Sequence, residues 1–379
     1  MTYRLYGTPG SLYTAKARSW LIKNGVPFEN RAAGEPRFRE EIVPKIGRWI
    51  IPVLEASDGE LIQDGSAIIE RLEADGLARW PTFPQTPRHR LIGQIFELFG
   101  GEGMLRPAMH YRWNFDAVNQ PFVGLDFAAG LAAPGADPSE GAAVFQFAAQ
   151  RMRKAMNSFG VSEASIPRVE AAYEAFLALF DAHLADSPYL LGGRPTIGDY
   201  GLIAPLYAHL GRDPFPADLM KRKAHRVWRW VERMNAADLD SGEYLYPAPD
   251  LFPEDGVPDT LKALLRFVAE DYLPEVRAYV GFANAWLAER PELEPGTSGL
   301  ARSSERVIGR VAFDWRGETI EVGVMPYRLW LLQKAQDAIG DSDELNALLS
   351  ETGLADLATL KTSRRVERVN QLEVWTAPI

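Results

Sequence analysis

Three hydroxyls stand within four positions near the start of the sequence: Ser11, Tyr13 and Thr14 in TPGSLYTAKARSWL (8–21). They follow a Thr-Pro-Gly turn and open a helical pattern, so by residue type alone Ser11 is a turn or N-cap residue. A second group, Asp64, Gly65 and Ser66, stands where GRWIIPVLEASDGELIQDGSAIIERLE (47–73) passes from an apolar run into a helix. The free N–H groups of a helix start favour carboxylates, so this triplet suits an anionic ligand group as well as ordinary capping. Pro52, inside the apolar run from Ile50 to Leu54, reads by itself as an edge-strand proline. Thr196 and Asp199 form an S/T-x-x-D box at a later helix start. There the hydroxyl meets the N–H three residues on and the carboxylate reaches back, which is a folding device.

Other chemistries are disfavoured by what the sequence holds. It has no cysteine, hence no disulfide framework, thiolate metal site or thiol nucleophile. His89, His110, His183, His209 and His225 show no metal-ligand spacing. A net charge of −10 over 379 residues argues against nucleic acid as the main partner, because phosphate binding needs a positive face. The sequence shows no window near the roughly 20 apolar residues of a membrane span. Its start, MTYRLYGTPG, lacks a basic stretch followed by a long apolar run, so a cytoplasmic protein without membrane partners is expected.

The elements that must position these groups are legible in outline. YRLYG (3–7) reads as a strand ending near Tyr6, and Tyr13 to Lys23 carries apolar residues at helical spacing up to Gly25. VPFEN resembles a second strand, and 36–46 a short helix. IPVLEA and ELIQ flank Ser57-Asp58-Gly59 as a hairpin, followed by a helix with Ile68, Ile69 and Leu72 inward. Three prolines in ARWPTFPQTP (78–87) mark a linker. Helices follow over 88–112, 142–158 and 167–185, the last with an apolar stripe of Val169, Ala172, Tyr173, Phe176, Leu177 and Phe180. GLAAPGADPSEG (130–141) reads as a loop. Further helices begin at Thr196 and lie near 217–234. Beyond residue 250 the pattern predicts one long helix or two over 258–289, two strands around WRG in 306–324, helix over 326–358, and a tail that docks as a strand or packed end.

IIPVLEASDGELIQDGSAIIERL and SPYLLGGRPTIGDYGLIAPLYAHL (187–210) together resemble the glutathione transferase family, with TPGSLYTAKARSWL in support. The resemblance implies an α/β thioredoxin-like glutathione-binding domain over 1–77 and an all-α C-terminal domain over 86–248. An appended α+β segment over 249–379, with an expected β-hairpin, matches nothing in the family. It implies that Pro52 follows a cis bond and leaves the Ile51 backbone facing a peptide-like ligand. It implies that Asp64, Gly65 and Ser66 hold the γ-glutamyl end of glutathione, the co-substrate. Gly65 replaces the usual serine there, with Ser66 or the bare backbone left to compensate, and the loop over 45–51 departs from the family's. The catalytic hydroxyl aligns best with Ser11, with Tyr13 and Thr14 as neighbours able to do the same work and Tyr6 further off. A hydrogen bond to the glutathione sulfur favours its thiolate. The resemblance makes Asp199 structural.

The electrophile's pocket is expected between the domains, on GEGMLRPAMHYRWNFD (101–116), with Met104, His110 and Trp113 on its wall. Without cysteine, mixed-disulfide chemistry is disfavoured, and addition or substitution by glutathione thiolate on an electrophilic small molecule remains. A homodimer and no metal go with this reading. The alternative is a non-catalytic binding or structural protein on the same fold.

Overall fold

The computed structural model describes residues 2–245 and 248–378. β1 (Tyr3–Tyr6) turns into α1 (Leu12–Lys23), and β2 (Phe28–Arg31) returns parallel to β1. Gly25 takes the left-handed conformation, φ 66°, that lets the chain leave α1. Where a short helix is predicted over 36–46, a π turn (Phe38–Ile42) runs into α2 (Val43–Ile46). β3 (Val53–Glu55) and β4 (Leu61–Gln63) pair antiparallel, and the sheet order is β2-β1-β3-β4. α3 (Gly65–Ala74) buries Ile68, Ile69 and Leu72.

The helical part opens with α4 (Pro87–Leu98), a π turn (Phe99–Gly103) and α5 (Leu105–Trp113). The sequence pattern predicts a single helix here. The interruption falls on Gly100, which lies so close to the backbone of Gly201 that no side chain fits. α6 (Asp116–Leu131) and α7 (Pro138–Ala155) pack together. The predicted loop therefore shrinks, because α6 continues through Gly130 and α7 starts at Pro138. α8 (Ile166–His183) buries the predicted apolar stripe in full. α9 (Ile197–Ala208) is followed by α10 (Pro214–Lys223) and α11 (His225–Met234). Ala224, at φ −144° and ψ 68°, breaks the segment read as one helix.

The remainder begins with α12 (Asp259–Asp271) and α13 (Leu273–Ala288). β5 (Gly309–Trp315) and β6 (Glu318–Val324) pair around Arg316 and Gly317, both at positive φ, and pack on α13. α14 (Pro326–Ile339) lies along α4, and α15 (Asp343–Glu351) precedes a second hairpin, β7 (Arg364–Val369) and β8 (Leu372–Pro378). The tail is thus a strand, with a partner, β7, absent from the sequence reading; of that tail, Ile379 lies outside the described residues. Asn370 and Gln371, at φ 50° and 67°, form the two-residue turn whose twist suits paired strands. One continuous apolar core runs from Leu5 and Trp20 through Phe96 and Trp230 to Leu332 and Trp375, so residues beyond 249 share a core with the rest. Among the described residues no helix is long and apolar enough to cross a membrane.

Candidate active site

Ser11 is the N-cap of α1, extended at φ −94° and ψ 127°, and its Oγ accepts a long 3.4 Å bond from the Thr14 N–H. The side chain is half-buried, and among the described residues its hydroxyl proton has no acceptor. The loop ahead of it is fixed from the helical part. Buried Arg112 donates to the Gly10 carbonyl at 2.8 Å, to both Asp213 oxygens at 2.7 and 2.8 Å, and to the Ala208 carbonyl at 2.7 Å.

The neighbouring hydroxyls are committed elsewhere. Tyr13 donates to Glu102 Oε1 at 2.9 Å. Burial, reinforced by the Glu102 charge, pushes its phenol far above the ordinary range. Glu102 in turn takes Arg328 at 3.0 Å, Arg328 reaches Glu275 at 2.7 Å, and Glu275 takes Arg106 at 2.5 Å, all buried. Thr14 is buried against Gly7, and its hydroxyl has no partner among the described residues. Tyr6 bonds Glu55 and Arg37 at 3.3 and 3.1 Å. Of the predicted hydroxyls, Ser11 alone is both reachable and uncommitted.

The Ile51–Pro52 bond is cis, and the Pro52 carbonyl accepts the Asp64 N–H at 3.2 Å. Ile51 is half-buried, and its own N–H and C=O carry no hydrogen bond among the described residues. Asp64 caps α3 at φ 94°, a left-handed conformation uncommon outside glycine. Its Oδ1 accepts from the Ser66 and Ala67 N–H groups at 2.9 and 3.2 Å. Burial works to raise its pKa, but Arg368, Lys16 and the bonds it accepts outweigh that and hold it below the usual carboxylate range.

Gly65 and Ser66 behave differently from the predicted pair. A Cβ at Gly65 would stand 2.8 Å from the Tyr13 carbonyl, so the start of α3 lies too close to α1 for the serine the resemblance calls for. Ser66 does not replace that hydroxyl. It is fully buried, takes the Lys16 ammonium at 2.6 Å and donates to Glu97 Oε1 at 2.7 Å. Lys16 and Glu97 themselves meet at 2.5 Å, 4% and 1% exposed.

Sequence reasoning missed the residues that face this region from the far end of the chain. Gln371, at the β7–β8 turn, accepts the Gln63 N–H at 3.0 Å and donates to the Leu61 carbonyl at 3.1 Å. Arg368 lies 3.3 Å from Asp64 and donates to the Gln63 side chain at 2.5 Å. Arg48, in the altered loop, donates to the Gln371 carbonyl at 2.8 Å and to both Glu373 oxygens at 3.1 and 3.2 Å. Arg306 lies over the rings of Tyr13 and Tyr327. A usable signal exists in the alternation of RVERV and LEVW on either side of Asn370-Gln371.

Met104, His110 and Trp113, predicted on a pocket wall, are packed in the helical core at 2%, 1% and 5% exposure. His110 bonds Glu170 at 3.0 Å and Asn114 at 2.8 Å, and Met104 borders a void of about 10 Å³ beside Trp315. The aromatic richness of 101–116 reflects packing against α8 and α6. An open cavity of about 830 Å³ lies instead between α6 and α7, lined by Pro121, Gly124, Leu125, Ala128, Ala142 and Phe145. Asp199 takes the N–H groups of Thr196 and Leu190 at 2.9 Å and the Trp230 indole at 3.2 Å, completing the capping box with Thr196. Burial raises its pKa to about 6 despite these bonds.

Residues 5–76 match the family model of the glutathione S-transferase N-terminal domain, and residues 163–233 that of the C-terminal domain. Among curated proteins none matches. Solved structures similar to parts of this chain include the beta-etherase LigF of Sphingobium sp. strain SYK-6, 20% identical over 62% of this chain and 96% of its own, with a TM-score of 0.43. A glutathione S-transferase of Methylobacterium radiotolerans, solved with glutathione sulfonate, is 20% identical over 66% of this chain and 99% of its own, TM-score 0.37. Gtt2 of Saccharomyces cerevisiae is 19% identical over 62% and 95%, TM-score 0.33.

Proposed function

Since the chain belongs to the glutathione S-transferase family through both of its matched domains, we propose that it is a glutathione transferase acting on an electrophilic small molecule. The observation that carries this is Ser11, a hydroxyl at a helix start with its proton uncommitted. Its O–H donates to the glutathione sulfur and stabilises the thiolate, and the positive end of α1 adds to the effect. The thiol proton leaves to solvent. The sulfur lone pair then forms the new S–C bond to the electrophile, with a leaving group departing in substitution or a proton taken up in addition. The unpaired Ile51 backbone takes the cysteinyl peptide as an added strand would, and Asp64 takes the ammonium of the γ-glutamyl end. Holding both reactants together supplies much of the rate.

The test is conjugation of glutathione to an aryl halide by wild type and by Ser11→Ala. Equal rates would remove Ser11 from the reaction. The hairpin at Asp64 favours a second reading, a non-catalytic binding or structural protein whose own chain fills the glutathione end. An unmoved melting temperature at millimolar glutathione would support that reading, since a ligand at 100 times its dissociation constant adds about 2.7 kcal/mol.

A further inference from the structure

The tip of the β7–β8 hairpin carries a chemical inventory close to that of a short peptide. It offers a guanidinium, Arg368, to the Asp64 carboxylate. It offers a carboxylate, Glu373, to Arg48. It offers a primary amide, Gln371, that pairs with β4 through one accepted and one donated bond, as a peptide unit of an added strand does. Glutathione brings an ammonium, two carboxylates and two amides. The subsite at Ile51, by contrast, is left without hydrogen bonds among the described residues.

The hairpin is anchored away from this tip. Gln333 on α14 exchanges two bonds with the Val366 backbone at 2.9 and 2.8 Å, and Trp375, fully buried, stacks on Trp286 with centroids 5.9 Å apart. Val369 and Asn370 are exposed. Lifting the tip breaks the polar contacts of Arg368, Gln371 and Glu373 and leaves Trp375 packed.

We infer that the β7–β8 tip is an internal stand-in for the peptide ligand and that glutathione must displace it, so the C-terminal segment gates the site; this rests on the reading of Asp64 as the γ-glutamyl end. A ligand that must first open a closed state loses affinity in proportion to how rarely that state is open. Gln371→Ala removes both bonds to β4 without touching a charge, and Arg368→Gln removes the cation at Asp64.

Hydrogen exchange on the full chain with and without glutathione, together with calorimetric titration, tests this. The expected result is protection of 51–66 by glutathione, faster exchange over 368–373, and affinity raised about tenfold in Gln371→Ala. Protection of 51–66 with unchanged exchange over 368–373, or wild-type affinity in both variants, would overturn the gate and leave the glutathione reading standing. If 51–66 gains no protection even in Gln371→Ala, while its tip exchanges faster and the rest of the chain exchanges as in wild type, the glutathione reading falls and the gate with it.

Discussion

Replacing Lys16 by Met strands a carboxylate. Lys16 and Glu97 meet at 2.5 Å beneath the start of α3, joined by Ser66, and neither side chain is more than 4% exposed. At an effective dielectric constant of 20 their attraction is about 6–7 kcal/mol. The loss of hydration of two buried ions offsets most of it, so the intact pair is worth little beyond an apolar pair of the same volume. Removing one partner is different: the uncompensated charge costs about 3–5 kcal/mol. Lys16→Met and Glu97→Leu should each lower the unfolding free energy by that amount, read from the urea midpoint at unchanged slope. The double variant should cost less than either single one.

The same reasoning fixes a pH dependence. In wild type, burial raises the Glu97 pKa, but Lys16, Lys334 and the bonds it accepts outweigh burial and hold it below the usual range. Without Lys16 the folded pKa rises above the unfolded one. Below the unfolded value Glu97 is then protonated in both states, and the penalty grows as pH rises through the folded value. The gap between Lys16→Met and wild type should therefore narrow from pH 7 to pH 5, by at most about 1.4 kcal/mol per pH unit. A gap independent of pH, or a double variant costing the sum of the singles, would refute the argument.

Gly65→Ser should destabilise by about 1–3 kcal/mol, because its Cβ meets the Tyr13 carbonyl, and should not tighten glutathione binding; denaturation and calorimetry check the two halves. Ser11→Ala should raise the pKa of the bound thiol by about 1–2 units, the worth of one hydrogen bond to a charged sulfur, visible as a shifted pH–rate profile with an aryl halide. Asp199, raised to about 6 by burial, contributes stability that is full below its unfolded pKa and is lost as pH rises through 6. The advantage of wild type over Asp199→Asn should accordingly be about 2–3 kcal/mol larger near pH 4 than near pH 8 in urea titrations.

What was legible in the sequence was the local chemistry of chain direction. Ser57-Asp58-Gly59 between two apolar runs specifies a hairpin, and Thr196 with Asp199 specifies a helix start whatever surrounds them. The apolar stripe of α8 is legible for the same reason: its spacing matches one helix face. The aromatic residues at 101–116 were ambiguous, because a core and a pocket wall draw on the same side chains and local spacing does not distinguish them. β7 was missed for another reason. Arg364, Arg365, Glu367 and Arg368 look like a solvated run, yet Arg368 satisfies its charge at Asp64, more than 300 positions away. The pairing of Arg48 with Glu373 is likewise invisible to any local pattern.

Arg328 has a consequence for how this chain can change. Its guanidinium sits between Glu102, at the end of the π turn, and Glu275 on α13, and Glu102 also holds Tyr13 on α1. A chain cut near residue 250 would not simply be a shorter version of the same fold. Glu102 would lose its arginine counter-ion beside the helix that carries Ser11.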